Sequence, residues 1–215
     1  MLRTLYLGPA GRALSLLMRA AARFKRPFMV YGYRDRVSGE FRKLTRISSN
    51  AVLGDPNRIA VGDNVWIWHH TILDGSNGVT IGDGAQIGAW VGIFSHGSHV
   101  AVRLHGERYI TVPREERKGY TRASVVIGRY AFIGAGAKVM PGVTIGDGAL
   151  IAAGAIVSSD VPDFGIARGS PAKVVGDVRK MDEKFWSDPD VADSYFDPVG
   201  RNAWIEAKAG EPARS

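Results

Sequence analysis

Aliphatic residues, half of them followed by glycine, recur every six positions through the middle of this chain. That period restricts the fold more than any other feature. The series runs Val61, Ile67, Leu73, then Ile81, Ile87, Ile93, and resumes at Ile127, Ile133, Val139, Ile145, Ile151 and Val157. In the second block equivalent residues lie 18 apart; in the first they lie 20 apart, with two extra residues around Asn57–Ala60 and again around Asn77–Thr80. A smaller residue stands four positions after most of these aliphatics, as at Val65, Thr71, Ala85, Ala131, Ala137, Ala149 and Ala155. Three six-residue sides close one turn of a coil, so each aliphatic is predicted on a short strand. Successive turns then stack as parallel strands about 4.8 Å apart. Gly, Asp and Asn near the junctions supply the corners. A sandwich would need an alternation of period two, and none is present.

Composition narrows the function classes. The 215 residues are 45% hydrophobic, enough for a core, and include no cysteine, which excludes disulfides, thiolate metal sites and a cysteine nucleophile. The net charge of +7 is unevenly spread. Residues 1–50 hold 11 Lys/Arg against 2 Asp/Glu, residues 51–161 hold 9 against 9, and residues 162–215 hold 8 against 10. With no zinc finger, RNP-like run or basic zipper, nucleic acid is not an expected partner. No run of 18 apolar residues occurs, and Gly8-Pro9, Arg12 and Arg19 interrupt what would otherwise read as a leader.

The runs from Ile127-Gly128-Arg129-Tyr130-Ala131-Phe132 to Val157, with Met140-Pro141-Gly142-Val143-Thr144-Ile145-Gly146-Asp147-Gly148 and the closing Gly169-Ser170-Pro171-Ala172-Lys173-Val174-Val175, resemble the hexapeptide-repeat acyltransferases. Within that superfamily the chain is most similar to the sugar O-acetyltransferases, those of galactosides, maltose and bacterial surface polysaccharides, over residues 47–176. The resemblance implies an all-β, left-handed parallel β-helix solenoid with short flanking helices, a homotrimer, acetyl-CoA as donor, a sugar or glycan acceptor and an active site between neighbouring subunits. It also implies a cytoplasmic enzyme, working at the inner face of the membrane if the acceptor is lipid-linked. The expected organisation is a basic N-terminal helix and cap (1–46), a repeat domain (47–176) with an excursion loop at 95–125, and a C-terminal extension (177–215).

The excursion opens Phe94-Ser95-His96-Gly97-Ser98-His99. Long irregular insertions in regular scaffolds carry function, and the family keeps its catalytic histidine at the start of such a loop. His96 and His99 both qualify, and the spacing from Ile93 ranks neither. A neutral imidazole there would take the proton of a sugar hydroxyl as it attacks the thioester, with backbone N–H groups holding the oxyanion. The same resemblance implies Ala135 and Ala153 along the pantetheine arm, Lys173 and Arg179 at the CoA phosphates, and His69, Asp74 and Phe132 near the acceptor. Small-residue packing for the alanines and surface packing for His69 are equally good readings. Zinc is weighed because γ-class carbonic anhydrases share this solenoid. Their pair of glycine-flanked histidines five residues apart is missing, and no metal is expected.

Residues 10–26 read as a basic amphipathic helix, with Leu14, Leu17, Ala21 and Phe24 on one face and Arg12, Arg19, Arg23 and Arg26 on another. It either touches an anionic membrane or covers the open end of the solenoid; covering is the preferred reading. Met181–Trp186 and Val191–Phe196 are expected as short helical turns, and 207–215 as a frayed end. Two other function classes stand beside O-acetylation. One is N-acetylation of a nucleotide-linked amino sugar, whose usual extra N-terminal domain does not fit in 46 residues. The other is a zinc-bearing or non-catalytic trimer.

Overall fold

The computed structural model describes residues 26–209, together with Ala13, Leu16 and Leu17. The predicted helix of residues 10–26 therefore lies outside the described residues, apart from these isolated positions and Arg26.

Three parallel sheets make up the body. The first face stacks Val52–Gly54, Ile72–Asp74, Gly92–Ile93, Lys138–Val139 and Ile156–Val157. The second stacks Ile59–Val61, Val79–Ile81, Val125–Ile127 and Thr144–Ile145, with Val161 bridged to Ile145. The third stacks Trp66–Ile67, Gln86–Ile87, Phe132–Ile133, Leu150–Ile151 and Gly165–Gly169. The chain visits the faces in fixed rotation, so it winds as a three-sided coil. Its register matches the sequence period: Leu73 pairs Ile93, Ile81 pairs Ile127, and Ile133 pairs Ile151.

Side-chain size explains the closure. The repeat aliphatics Ile67, Leu73, Ile87, Ile93, Ile133, Val139, Ile145 and Ile151 are fully buried, as are Val65, Thr71, Ala85, Ala131, Ala137 and Ala149. Each aliphatic removed from water contributes roughly 1.5–3 kcal/mol as an upper bound. The small partners let three sides meet at the axis. At the corners the coils nearly touch: a Cβ on Gly128 would sit 2.5 Å from the Asp147 nitrogen, and one on Gly134 2.5 Å from the Ala153 nitrogen. The two extra residues of the first block widen the corner between the first and second faces, where Pro56–Arg58 form a 3-10 turn. The excursion leaves the coil from that same corner.

Both ends carry unrepeated structure. Met29–Arg34 and Phe41–Ser48 form an antiparallel hairpin, whose second arm joins the third face through Ile47 on Ile67. The period gave no sign of this hairpin. At the other end, Gly165–Gly169 pairs antiparallel with Ala172–Asp177. Inside the excursion lies helix α1 (Ala101–His105), and after the last strand come α2 (Arg179–Asp182), α3 (Pro189–Ser194) and α4 (Pro198–Ala209). The expected turns at 181–186 and 191–196 are α2 with its 3-10 extension and α3. The expected fraying does not begin at 207, because α4 continues to Ala209, tied to Glu183 by Trp204 and Lys208.

Candidate functional site

The excursion begins where the first-face strand Gly92–Ile93 ends, directly above Asp74 in the preceding coil. Asp74 Oδ2 lies 2.6 Å from His96 Nδ1. The same oxygen accepts the Ser95 amide (2.9 Å) and the Ser95 hydroxyl (3.1 Å), while Oδ1 accepts the Ser76 amide (3.1 Å). Asn77 ties the two coils together, donating its amide to Ser95 Oγ (2.9 Å) and its side chain to the Ser95 carbonyl (2.9 Å). Ser76 Oγ stands 3.2 Å from His96 Nδ1.

Electrostatics assigns the protons. Burial works against the charged form of Asp74, but hydrogen bonds from Ser76, the Ser95 amide and His96 outweigh it. They hold the carboxyl well below the usual carboxylate range. An ionised carboxylate only accepts, so His96 Nδ1 carries the hydrogen, and a neutral ring would leave Nε2 as the lone-pair nitrogen. Nε2 makes no hydrogen bond among the described residues, and the His96 side chain is 36% exposed against 15% for Asp74. The imidazole is accessible, and the carboxylate that holds it is covered.

The excursion holds the ring from its far side. His96–Gly97 pairs antiparallel with Thr121–Arg122, and Tyr120 stacks on the imidazole at 5.6 Å between centroids and 2° between planes. His99 lies three residues on, exposed, with no hydrogen bond to its ring; its carbonyl accepts Arg103. Among the described residues, of the two histidines only His96 is coupled to a carboxylate.

The other expected residues lie elsewhere. His69 Nδ1 is 2.7 Å from Ser48 Oγ, at the corner between the third and first faces. At that corner Ala135 and Ala153 stack as exposed small residues, and their backbone N–H groups donate to no protein acceptor among the described residues. Beside Ala135 is a cavity of about 290 Å³ lined by Trp66, Trp68, Gln86, Gly88 and Phe132. Lys173 is exposed on the last antiparallel strand. Arg179 is committed: its guanidinium grips Asp177 at 2.6 Å and lies between Phe164 and Trp204, 4.4 Å from each ring centre. Asp74, expected among the acceptor contacts, has its oxygens taken up by His96, Ser95 and Ser76. Ser76, Asn77, Ser95 and Tyr120 were not anticipated. Ser76 and Asn77 adjoin the widened corner, whose two extra residues around Asn77–Thr80 were the only signal for them, and Tyr120 comes from a loop with no period. No group of three His, Asp or Glu side chains is placed to hold a metal among the described residues.

The coil of six-residue sides, with a carboxylate-coupled histidine on a long loop, is a geometry that the hexapeptide-repeat transferases share. The model of bacterial transferase hexapeptide repeats (six repeats) matches residues 124–159. The galactoside O-acetyltransferase of Escherichia coli is 31% identical over 149 residues, covering 65% of this chain and 67% of its own length. This chain belongs to the hexapeptide-repeat transferase family. A Saccharomyces cerevisiae relative is 39% identical over 131 residues, and there the match spans 60% of this chain but only 59% of the relative. The solved maltose O-acetyltransferase of Clostridium difficile superposes with a TM-score of 0.50 at 27% identity, over 60% of this chain and 64% of that one.

Proposed function

We propose that the protein transfers an acetyl group from acetyl-CoA to a sugar hydroxyl, with His96 as general base and Asp74 as the residue that positions it. The Asp74–His96 pair carries this reading. With Nδ1–H held by an ionised carboxylate, Nε2 takes the hydroxyl proton as the sugar oxygen attacks the thioester carbonyl. A tetrahedral oxyanion forms, the C–S bond breaks, and CoA leaves as the thiol or thiolate. Asp74 stabilises the imidazolium between these steps. The kinship to a galactoside and a maltose O-acetyltransferase supports a sugar acceptor.

His96 stands on the corner between the first and second faces. Ala135 and Ala153, with their unpaired amides and the adjoining cavity, stand on the corner between the third and first. Both sets point outward from different edges of one coil. The reading therefore has the pantetheine arm run along the alanine corner of a second copy, in a left-handed, trimeric assembly of the family type. Close approach of the arm needs small side chains there, and a free N–H can meet its carbonyls.

Thiol release from acetyl-CoA over a panel of sugars tests the reading. His96→Ala is expected to lower kcat by about 10²–10⁴-fold, while His99→Ala keeps most of it. Equal rates for wild type and His96→Ala would overturn the assignment.

A further inference from the structure

The excursion is more cationic than the coils it leaves. Residues 95–125 carry six basic side chains against three acidic ones, so the neutrality of residues 51–161 conceals a positive loop on acidic coils. Two of those cations border the base. Arg122 is the register partner of His96 in the antiparallel pair, and directly opposed residues project to the same face. Tyr120, flat against the imidazole, has the guanidinium carbons of Arg122 and Arg114 at 4.6 and 5.3 Å from its ring centre. A guanidinium nitrogen of Arg122 also donates to the Arg114 carbonyl, which draws the two segments together. Among the described residues neither arginine forms an ion pair, and while Arg103, Arg108 and Arg117 of the same loop form none either, only Arg122 and Arg114 lie over the ring that stacks on His96. The nearest carboxylates in sequence, Glu115 and Glu116, are exposed and join no ion pair.

Two guanidinium groups without counter-ions, one aromatic ring away from the base, have little to offer a neutral hexose. They match an anion that can take several N–H donors at once. We propose that the acceptor is a sugar bearing an anionic group, phosphate or carboxylate, which Arg122 and Arg114 bind while its hydroxyl meets His96 Nε2. The proposal rests on reading His96 as the base and names the acceptor's chemical class.

The test compares glucose, glucose 6-phosphate and glucuronic acid, and the galactose counterparts, by thiol release and by calorimetric binding to the intact protein. The anionic members of each set should show the higher kcat/KM, and the phosphate and carboxylate arms tell which anion is read. Arg122→Gln and Arg114→Gln should each raise KM for the preferred anionic sugar about tenfold or more. KM for acetyl-CoA should not follow. Arg108→Gln removes the same charge from an exposed loop residue that does not stack on Tyr120 among the described contacts, and it should leave the sugar KM in place, separating local recognition from net charge. Preference for the neutral sugars, an effect of Arg108→Gln equal to that of Arg122→Gln, or a rise confined to the KM for acetyl-CoA would each overturn the proposal with the acetyltransferase reading intact. Absent turnover with anionic-sugar binding that Arg122→Gln abolishes would sink the acetyltransferase reading and the acceptor role with it, and leave the two arginines as an anionic-sugar site. Absent turnover with no such binding would sink that site as well.

Discussion

At the scale of single residues, the decisive atom is Asp74 Oδ2, because its charge state determines which imidazole nitrogen of His96 carries the lone pair that the proposed mechanism uses. An amide at this position could donate to Nδ1 and stabilise the opposite tautomer. Asp74→Asn is therefore expected to lower kcat strongly while KM for acetyl-CoA stays near its wild-type value, as initial rates against varied donor would record. The same carboxyl links stability to pH. Its folded pKa lies below the ordinary value of about 3.9, so the stabilisation is full above that value and is lost as pH falls toward the folded pKa. Urea unfolding should show wild type more stable than Asp74→Asn at pH 7, with the gap narrowing between about pH 4 and pH 3. A gap unchanged at pH 3 would mean that the charge of Asp74 is not its source.

At the scale of elements, the coils are limited by backbone contact at their corners. Because a Cβ on Gly128 would meet the backbone of Asp147, which no side-chain rotation can relieve, Gly128→Ala should destabilise by about 1–3 kcal/mol. Differential calorimetry would read this as a lowered Tm, and an unchanged Tm would contradict the close stacking. The coils were legible in the sequence for the same reason: each turn repeats one packing problem, and only a large aliphatic, a small partner and a glycine corner solve it. The hairpin of Met29–Ser48 and the excursion solve their packing once. They leave no period, and Tyr120 could not be placed against His96 from the sequence. Arg179 shows a related difficulty, since its expected role assumed a free guanidinium and tertiary packing gave it Asp177, Phe164 and Trp204 instead.

At the scale of the whole molecule, His96 and the alanine corner occupy different edges of one coil, so on the proposed reading a complete site needs two copies. Co-expression of His96→Ala with Ala135→Trp tests this. Each variant alone should be nearly inactive, but random mixing in a trimer places an intact His96 beside an intact Ala135 at roughly a quarter of the junctions, with about that share of wild-type turnover. No recovery in mixed assemblies, with trimers verified by light scattering, would mean that each copy builds its own site. By itself the sequence determined the repeating core, the corner widened by two residues and the presence of two candidate histidines, because these depend on local spacing and side-chain volume. Only the tertiary structure distinguishes the two, coupling His96 to a carboxylate among the described residues, which favours it as the proposed base. That distinction depends on a carboxylate 22 residues earlier being stacked one coil away, and on a loop returning to hold the ring, neither of which local spacing encodes.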